Sequence, residues 1–193
     1  MLSYKESLKI LKETDALLEG HFILSSGLHS DKYIQCAKLL SKPRKAKEIC
    51  SSLAEKITAK YKNIDLILSP AIGGIVIGYE IGRILNIETI FAERINGKFN
   101  LRRGFEIKKR QNILVVEDVI TTGKSSLECS DLAKKVDAEI IGYACLIDRS
   151  NGKSKIEKSI ISQIQIQIPT YDKNNLPKHL DNIKATKPGS RNL

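Results

Sequence analysis

The run Ile64-Asp65-Leu66-Ile67-Leu68 constrains this chain more than any other stretch. It is too short for a helix and apolar on both faces, as a parallel strand buried between two layers must be. A turn, Ser69-Pro70-Ala71-Ile72-Gly73-Gly74, follows it, and Ile75 to Leu85 then makes a helix, so the three together read as one βα unit. The pattern recurs. Thr89 to Glu93 reads as the next strand, Asn112 to Val116 as another buried strand leading through a Glu117 to Gly123 loop into a helix from Lys124 to about Val136, and Ala138 to Ile147 as one more strand. Strands alternating with helices predict an α/β fold whose parallel sheet is covered on both sides, with right-handed crossovers.

The flanks read differently. Residues 3 to 19 carry Tyr4, Leu8, Leu11, Ala16 and Leu18 at near-helical spacing behind a Ser3 cap with Glu6 three positions later, which predicts an amphipathic helix. His21 to Ser26 and Lys32 to Leu40 read as short strands around Ser26-Gly27-Leu28, and Lys42-Pro43 opens a helix through about Tyr61. Residues 94 to 105 resemble a hairpin or mobile loop with Asn96-Gly97 at a turn. Ser162 to Ile168 alternates strictly, as a strand with one wet face near a sheet edge does. Tyr171 to Leu193 has no period and holds Pro177, Pro188 and Gly189, predicting an irregular tail over the domain.

With 193 residues and 41% hydrophobic content, the expectation is one domain around one substantial core. The N-terminal residues are charged and amphipathic, and no apolar run approaches the roughly 18 residues of a membrane span, so a cytoplasmic protein without a membrane partner is expected. Cys36, Cys50, Cys129 and Cys145 have no CxxC spacing, which argues against zinc and against a disulfide framework. A net charge of +10 attracts polyanions, yet the lysines are spread along the chain and aromatic content is only 5%. No stacking platform for single strands follows, and no nucleic-acid partner is expected.

Ligands of open α/β sheets bind beyond the carboxyl ends of the strands, where polar loops fall at residues 69 to 74, 93 to 104, 117 to 125 and 148 to 152. The third is the richest. Apolar residues deliver the adjacent carboxylates Glu117 and Asp118, and Thr121-Thr122-Gly123-Lys124-Ser125 then offers hydroxyls and backbone N–H groups at a helix start, where an anion is stabilised. The acids would repel a phosphate, so they suit sugar hydroxyls or a Mg2+ carrying the ligand's other oxygens. Together they imply a ligand with both ribose and phosphate. A Walker loop is excluded, because Asp118 stands where its first glycine would be, and a Rossmann glycine fingerprint is missing.

Val115 to Ser126 resembles the phosphoribosyl pyrophosphate (PRPP) motif of the type I phosphoribosyltransferases: apolar residues, two acids, then a Thr-Thr-Gly-x-Ser phosphate loop. Further segments narrow the resemblance to the orotate branch of that family in its shorter bacterial and archaeal form. They are Gly20 to Gly27 with His29-Ser30 and Tyr33, Ser69 to Gly74, Phe91-Ala92-Glu93-Arg94, Leu101-Arg102-Arg103-Gly104-Phe105 and Lys187-Pro188-Gly189-Ser190-Arg191.

The resemblance implies a Rossmann-like parallel sheet flanked by helices, with a small hood from the N-terminal segment: hood about 1–40, core about 43–150, edge strand and tail 151–193, all in a single domain 1–193. It implies transfer of the phosphoribosyl group from PRPP to a ring nitrogen of orotate, with Mg2+ present, by a homodimer whose sites borrow loop residues from the neighbouring subunit. PRPP would meet Arg94, Lys98, Glu117, Asp118, Val119, Ile120, Thr121, Thr122, Gly123, Lys124 and Ser125, and orotate would meet Thr121 and Arg149; Lys98 and Asp118 are the implied catalytic residues. No direct protein ligand to Mg2+ is implied: PRPP would hold it, with Asp118 reaching it through water. Two departures stand out. Lysines of the longer form are replaced by Ser25 and Gly73, so Arg102, Arg103 or a partner residue must supply the missing charge; and Asn100 stands where the mobile loop has a histidine. A purine phosphoribosyltransferase and a non-catalytic PRPP- or nucleic-acid-binding regulator remain as alternatives.

Overall fold

The computed structural model describes residues 1–24 and 26–188; Ser25 and Gly189-Ser190-Arg191, which carry part of the resemblance, lie outside them. The chain opens with helix α1 (Tyr4–Glu13), capped by Ser3 and Glu6 in a reciprocal capping box. The helix stops short of the expected residue 19, because Asp15 takes a left-handed φ of 55° and turns the chain into strand β1 (Leu17–Ile23). Strand β2 (His29–Ile34) pairs with it antiparallel. The strand expected over Lys32 to Leu40 is split: Cys36–Leu40 form the short helix α2, which buries Cys36, Leu39 and Leu40 at helical spacing. Helix α3 (Pro43–Lys60) begins with its proline in the first turn and buries Ala46, Ile49, Cys50, Leu53 and Ile57.

Strand β3 (Leu66–Pro70), helix α4 (Gly73–Leu85) and strand β4 (Thr89–Ile95) make the βα unit, and β5 (Lys98–Leu101) folds back on β4. Strand β6 (Asn112–Ile120), helix α5 (Lys124–Lys134), strand β7 (Glu139–Asp148) and strand β8 (Ile160–Gln165) complete a six-stranded sheet in the order β5-β4-β3-β6-β7-β8. All neighbours are parallel except β4 with β5. The order reverses between β3 and β6, which places α4 and α5 on opposite faces. On one side Ile67, Leu114 and Val116 pack with Ile49, Leu53, Ile77 and Ile81; on the other Leu66, Leu68 and Val115 pack with Phe99, Cys129 and Ala133. A crevice outside the carboxyl ends of β3 and β6 is where such a sheet binds ligands.

At the β8 edge Ile164, Ile166 and Ile168 are buried while Gln165 and Gln167 are exposed, as the alternation requires. Gln163 is the exception, buried with its amide donating to Ser7 Oγ at 2.8 Å. The tail from Tyr171 is irregular and joins the hairpin β1–β2: Ile23 N–H donates to Thr186 O at 2.8 Å, and His29 and Tyr171 exchange backbone hydrogen bonds at 2.9 and 2.8 Å. The small sheet is therefore built from both ends of the described chain.

Helix α4 lies close on β3 and β4 because Gly74, Gly78 and Gly82 face them. A Cβ on Gly82 would stand 2.8 Å from Ile87 O and 2.0 Å from Thr89 Oγ1. The backbone oxygen cannot rotate away, so Gly82→Ala must lift the helix, at an expected cost of about 2–3 kcal/mol. Urea unfolding measures it; an unchanged midpoint would mean that the helix slides freely over the sheet.

Candidate active site

Strand β6 does not end at Val116 as the loop reading expected; it continues in register with β7 through Ile120, paired with Asp148. This matters for the two acids, since successive residues of a strand point to opposite faces. Glu117 turns towards α5, where Ser126 Oγ donates to its Oε2. Asp118 turns towards α4, and a Cβ on Gly73 would lie 2.7 Å from its Oδ2. The carboxylates thus straddle the crevice, one beside the first turn of each helix. Burial raises the Glu117 pKa to about 7, against the Ser126 hydrogen bond; the Asp118 charge adds to the rise and Arg94 opposes it. Burial also pushes the Asp118 carboxyl up, against the hydrogen bond it accepts from Val119 N–H at 3.0 Å.

Thr121 and Thr122 are exposed on the turn after β6, and Gly123 begins α5 with φ 77°. That backbone favours glycine, and so does the space, because a Cβ would meet Ile156 Cγ1 at 2.7 Å. Neither N-cap residue, Gly123 of α5 or Ile72 of α4, caps its helix with a side chain; Thr122 Oγ1 accepts weakly from Lys124 N–H at 3.4 Å. Two helix starts with positive ends therefore flank the crevice at the switch point, and a ligand with phosphates at both ends suits them. Lys124 is exposed and Ser125 half-buried at the start of α5, whereas the Ile120 side chain is in the core and offers only its backbone. Lys155 N–H donates to Thr122 O at 3.0 Å, bracing the turn from the loop after β7. Ser126, Lys155 and Ile156 were not singled out from sequence. Ser126 closes the motif that begins at Val115, but it lies nine residues from Glu117 and its bond to that acid had no local signal; Ile156 had none either, because its contact is long-range.

The β4–β5 hairpin separates Arg94 from Lys98. Asn96 and Gly97 form the turn with φ of 50° and 81°, and Arg94 faces Phe99 while Ile95 faces Lys98. Arg94 and Lys98 therefore leave opposite faces of the hairpin. Arg94 lies over the Phe99 ring at 4.1 Å, donates to Gly97 O at 2.6 Å and pairs with Glu128 of α5. Arg103, a candidate for the missing positive charge, is held by Glu93 through two hydrogen bonds of 3.0 and 2.9 Å, and Arg102 is exposed beside them.

Arg149 follows β7, its N–H donating to Ile120 O at 2.8 Å, so it stands directly beside the turn of Thr121. Its guanidinium is half-buried near Tyr33 and Cys36, and burial lowers its pKa against the pull of those two groups. Its Nε is buried without a hydrogen-bond partner among the described residues. Asp148, instead of pairing with it, accepts from Ser150 N–H at 2.8 Å. An unpaired guanidinium edge in a half-buried position is costly unless an anion completes it.

Residues 37–182 match the family model of the phosphoribosyl transferase domain. The orotate phosphoribosyltransferase of Parvibaculum lavamentivorans is 47% identical over 189 residues, covering 96% of this chain and 97% of that one. That of Carboxydothermus hydrogenoformans is 44% identical over 183 residues, covering 95% and 96%. Among solved structures, orotate phosphoribosyltransferase from Aeropyrum pernix superposes with a TM-score of 0.72 at 23% identity, over 82% of this chain and 92% of that one. The Mycobacterium tuberculosis enzyme in complex with inorganic phosphate gives 0.65 at 21% identity, over 82% and 95%. Those two likenesses show the fold, and the full-length sequence likeness shows the kinship: the chain belongs to the phosphoribosyl transferase family, in its orotate phosphoribosyltransferase branch.

Proposed function

We propose that this protein transfers the 5-phosphoribosyl group of PRPP to orotate, giving orotidine 5′-phosphate and pyrophosphate in pyrimidine nucleotide synthesis. The observation that carries the choice of acceptor is the half-buried Arg149 guanidinium beside the phosphate turn, which no carboxylate among the described residues pairs with. A planar guanidinium with a free edge grips a carboxylate through two parallel hydrogen bonds, and orotate differs from uracil by that carboxylate. Thr121, one residue from the Ile120 carbonyl that anchors Arg149, would meet the same ring.

The 5′-phosphate would sit on the start of α5, among Thr121, Thr122, Gly123, Lys124 and Ser125, with the backbone of Val119 and Ile120 leading into it. Glu117 and Asp118, one on each side, would accept hydrogen bonds from the ribose hydroxyls. The pyrophosphate would then lie towards the α4 start and Arg94. As the C1′–O bond breaks, the electron pair leaves with pyrophosphate, and a ring nitrogen of orotate forms the new bond to C1′ as it gives up its proton to the departing pyrophosphate or to solvent. Fixed positive charge at the leaving group therefore counts most in the transition state. Mg2+ would neutralise pyrophosphate oxygens when bound. Mg2+ keeps several waters and binds through substrate phosphates, so Asp118 would reach it through water. Lys98 leaves the hairpin away from Arg94, so its catalytic part requires the hairpin to swing or to serve a neighbouring subunit.

An absorbance assay for orotate consumption with PRPP and Mg2+, with uracil, hypoxanthine and adenine as competitors, tests the reading. Orotate alone is expected to be consumed; turnover of a purine in its place would overturn it.

A homodimer is part of the same reading. Ile72, Val76 and Tyr79 are 85%, 49% and 65% exposed along one side of α4, beside the crevice. A stripe of large apolar side chains next to a site is the kind of surface that a second subunit covers. Val76→Asp with Tyr79→Asp is expected to give a monomer by sedimentation from a dimeric parent; a variant that keeps the parent's mass would place the interface elsewhere.

A further inference from the structure

We infer that Glu128 is a positioning residue for the transfer reaction, acting through Arg94; the inference rests on the proposed function of the site. Arg94 extends from β4 and is exposed enough to move freely, yet three contacts fix it: the Phe99 ring, Gly97 O and the Glu128 carboxylate. The first two belong to its own hairpin and would follow it wherever it went. Among the described residues only Glu128 ties the guanidinium to α5, the helix whose first turn carries the phosphate loop, and its other oxygen lies 3.9 Å from Lys124 Nζ in that turn. One carboxylate thus spans a cation of the hairpin and a cation of the phosphate loop, and Arg94 is near enough to Glu117 to lower its pKa.

A guanidinium has five N–H donors, and the contacts to Glu128 and Gly97 engage one nitrogen each. Glu128 therefore orients the group and leaves donors for an anion. A free arginine side chain carries large rotamer entropy, so holding it beforehand removes that cost from the moment when negative charge grows on pyrophosphate. The opposite role, a counter-ion that must be displaced before the anion can bind, predicts the opposite sign.

The test is a double-mutant cycle of Glu128→Ala and Arg94→Ala, with Glu128→Gln as the conservative variant. Affinity for inorganic pyrophosphate and kcat for transfer are the readouts. Glu128→Ala is expected to lower kcat and pyrophosphate affinity about tenfold each, with the KM for orotate unchanged. Glu128→Gln, which keeps an accepting oxygen, should recover most of the loss. In the Arg94→Ala background Glu128→Ala should have no further effect on either readout, a result that general damage to α5 would not give. Additive losses, or tighter pyrophosphate binding on removing Glu128, would overturn the inference. Should the parent bind pyrophosphate but not turn over orotate, the assigned function fails, while the pyrophosphate cycle still decides whether Glu128 acts through Arg94.

Discussion

Arg149→Ala is expected to lower kcat/KM for orotate about 100- to 1000-fold while changing pyrophosphate affinity by less than about threefold. The size follows from the setting. The guanidinium is half-buried, and among the described residues no carboxylate pairs with it and its Nε has no partner, so none of them competes with the substrate carboxylate. Truncation leaves that carboxylate desolvated and unpaired, which costs more than the lost hydrogen bonds alone. Selectivity should collapse with it: uracil lacks the carboxylate, so the variant should discriminate poorly between the two bases. Steady-state kinetics with both bases measure this. A variant with unchanged KM for orotate would place the acceptor site elsewhere.

How far the sequence led differs between the halves of the molecule. The sheet was legible because Leu66, Ile67 and Leu68 are apolar towards both faces, and only a strand between two layers accepts that. The hood was misjudged at both ends of its hairpin. Helix α1 ends in a local device, left-handed Asp15 with Ala16 N–H donating back to Leu11 O at 2.9 Å, and α2 follows β2 after the single residue Gln35; apolar periodicity marks neither change. In the site, Thr121 to Ser125 were readable as a turn of hydroxyls and backbone N–H groups leading into a helix, and the structure has them there. The separation of Glu117 and Asp118 was not readable: adjacent acids look like a pair in sequence, and only the continuation of β6 sends them to opposite faces. Arg94 and Lys98 were joined by their spacing, yet a two-residue turn at Asn96-Gly97 puts them back to back. Strand parity decided both cases.

Glu117 should give stability and ligand affinity opposite slopes against pH. Its pKa rises from 4.5 to about 7 because burial disfavours the charged form. In the unfolded chain the group ionises at its ordinary value, so below about pH 4.5 both states are protonated and nothing is lost. Between about pH 4.5 and 7 the unfolded state sheds its proton first, and folding stability falls as pH rises, by on the order of 1–3 kcal/mol when complete. Ribose hydroxyls need an accepting carboxylate, so PRPP should prefer the ionised form and its affinity should climb through the same window. Between pH 8 and pH 5.5 the ionised fraction drops about 30-fold, and wild-type affinity should drop with it beyond what the titration of PRPP itself causes. Glu117→Gln isolates the group, because the ligand's own titration is common to both proteins. The variant should be more stable than wild type at pH 8 and bind PRPP with a shallower pH dependence, at roughly the wild-type affinity of pH 5.5. Transfer should fall with the affinity. Parallel pH slopes of PRPP binding in the two proteins would mean that Glu117 does not touch the sugar, and that the carboxylate facing α4, Asp118, holds it alone.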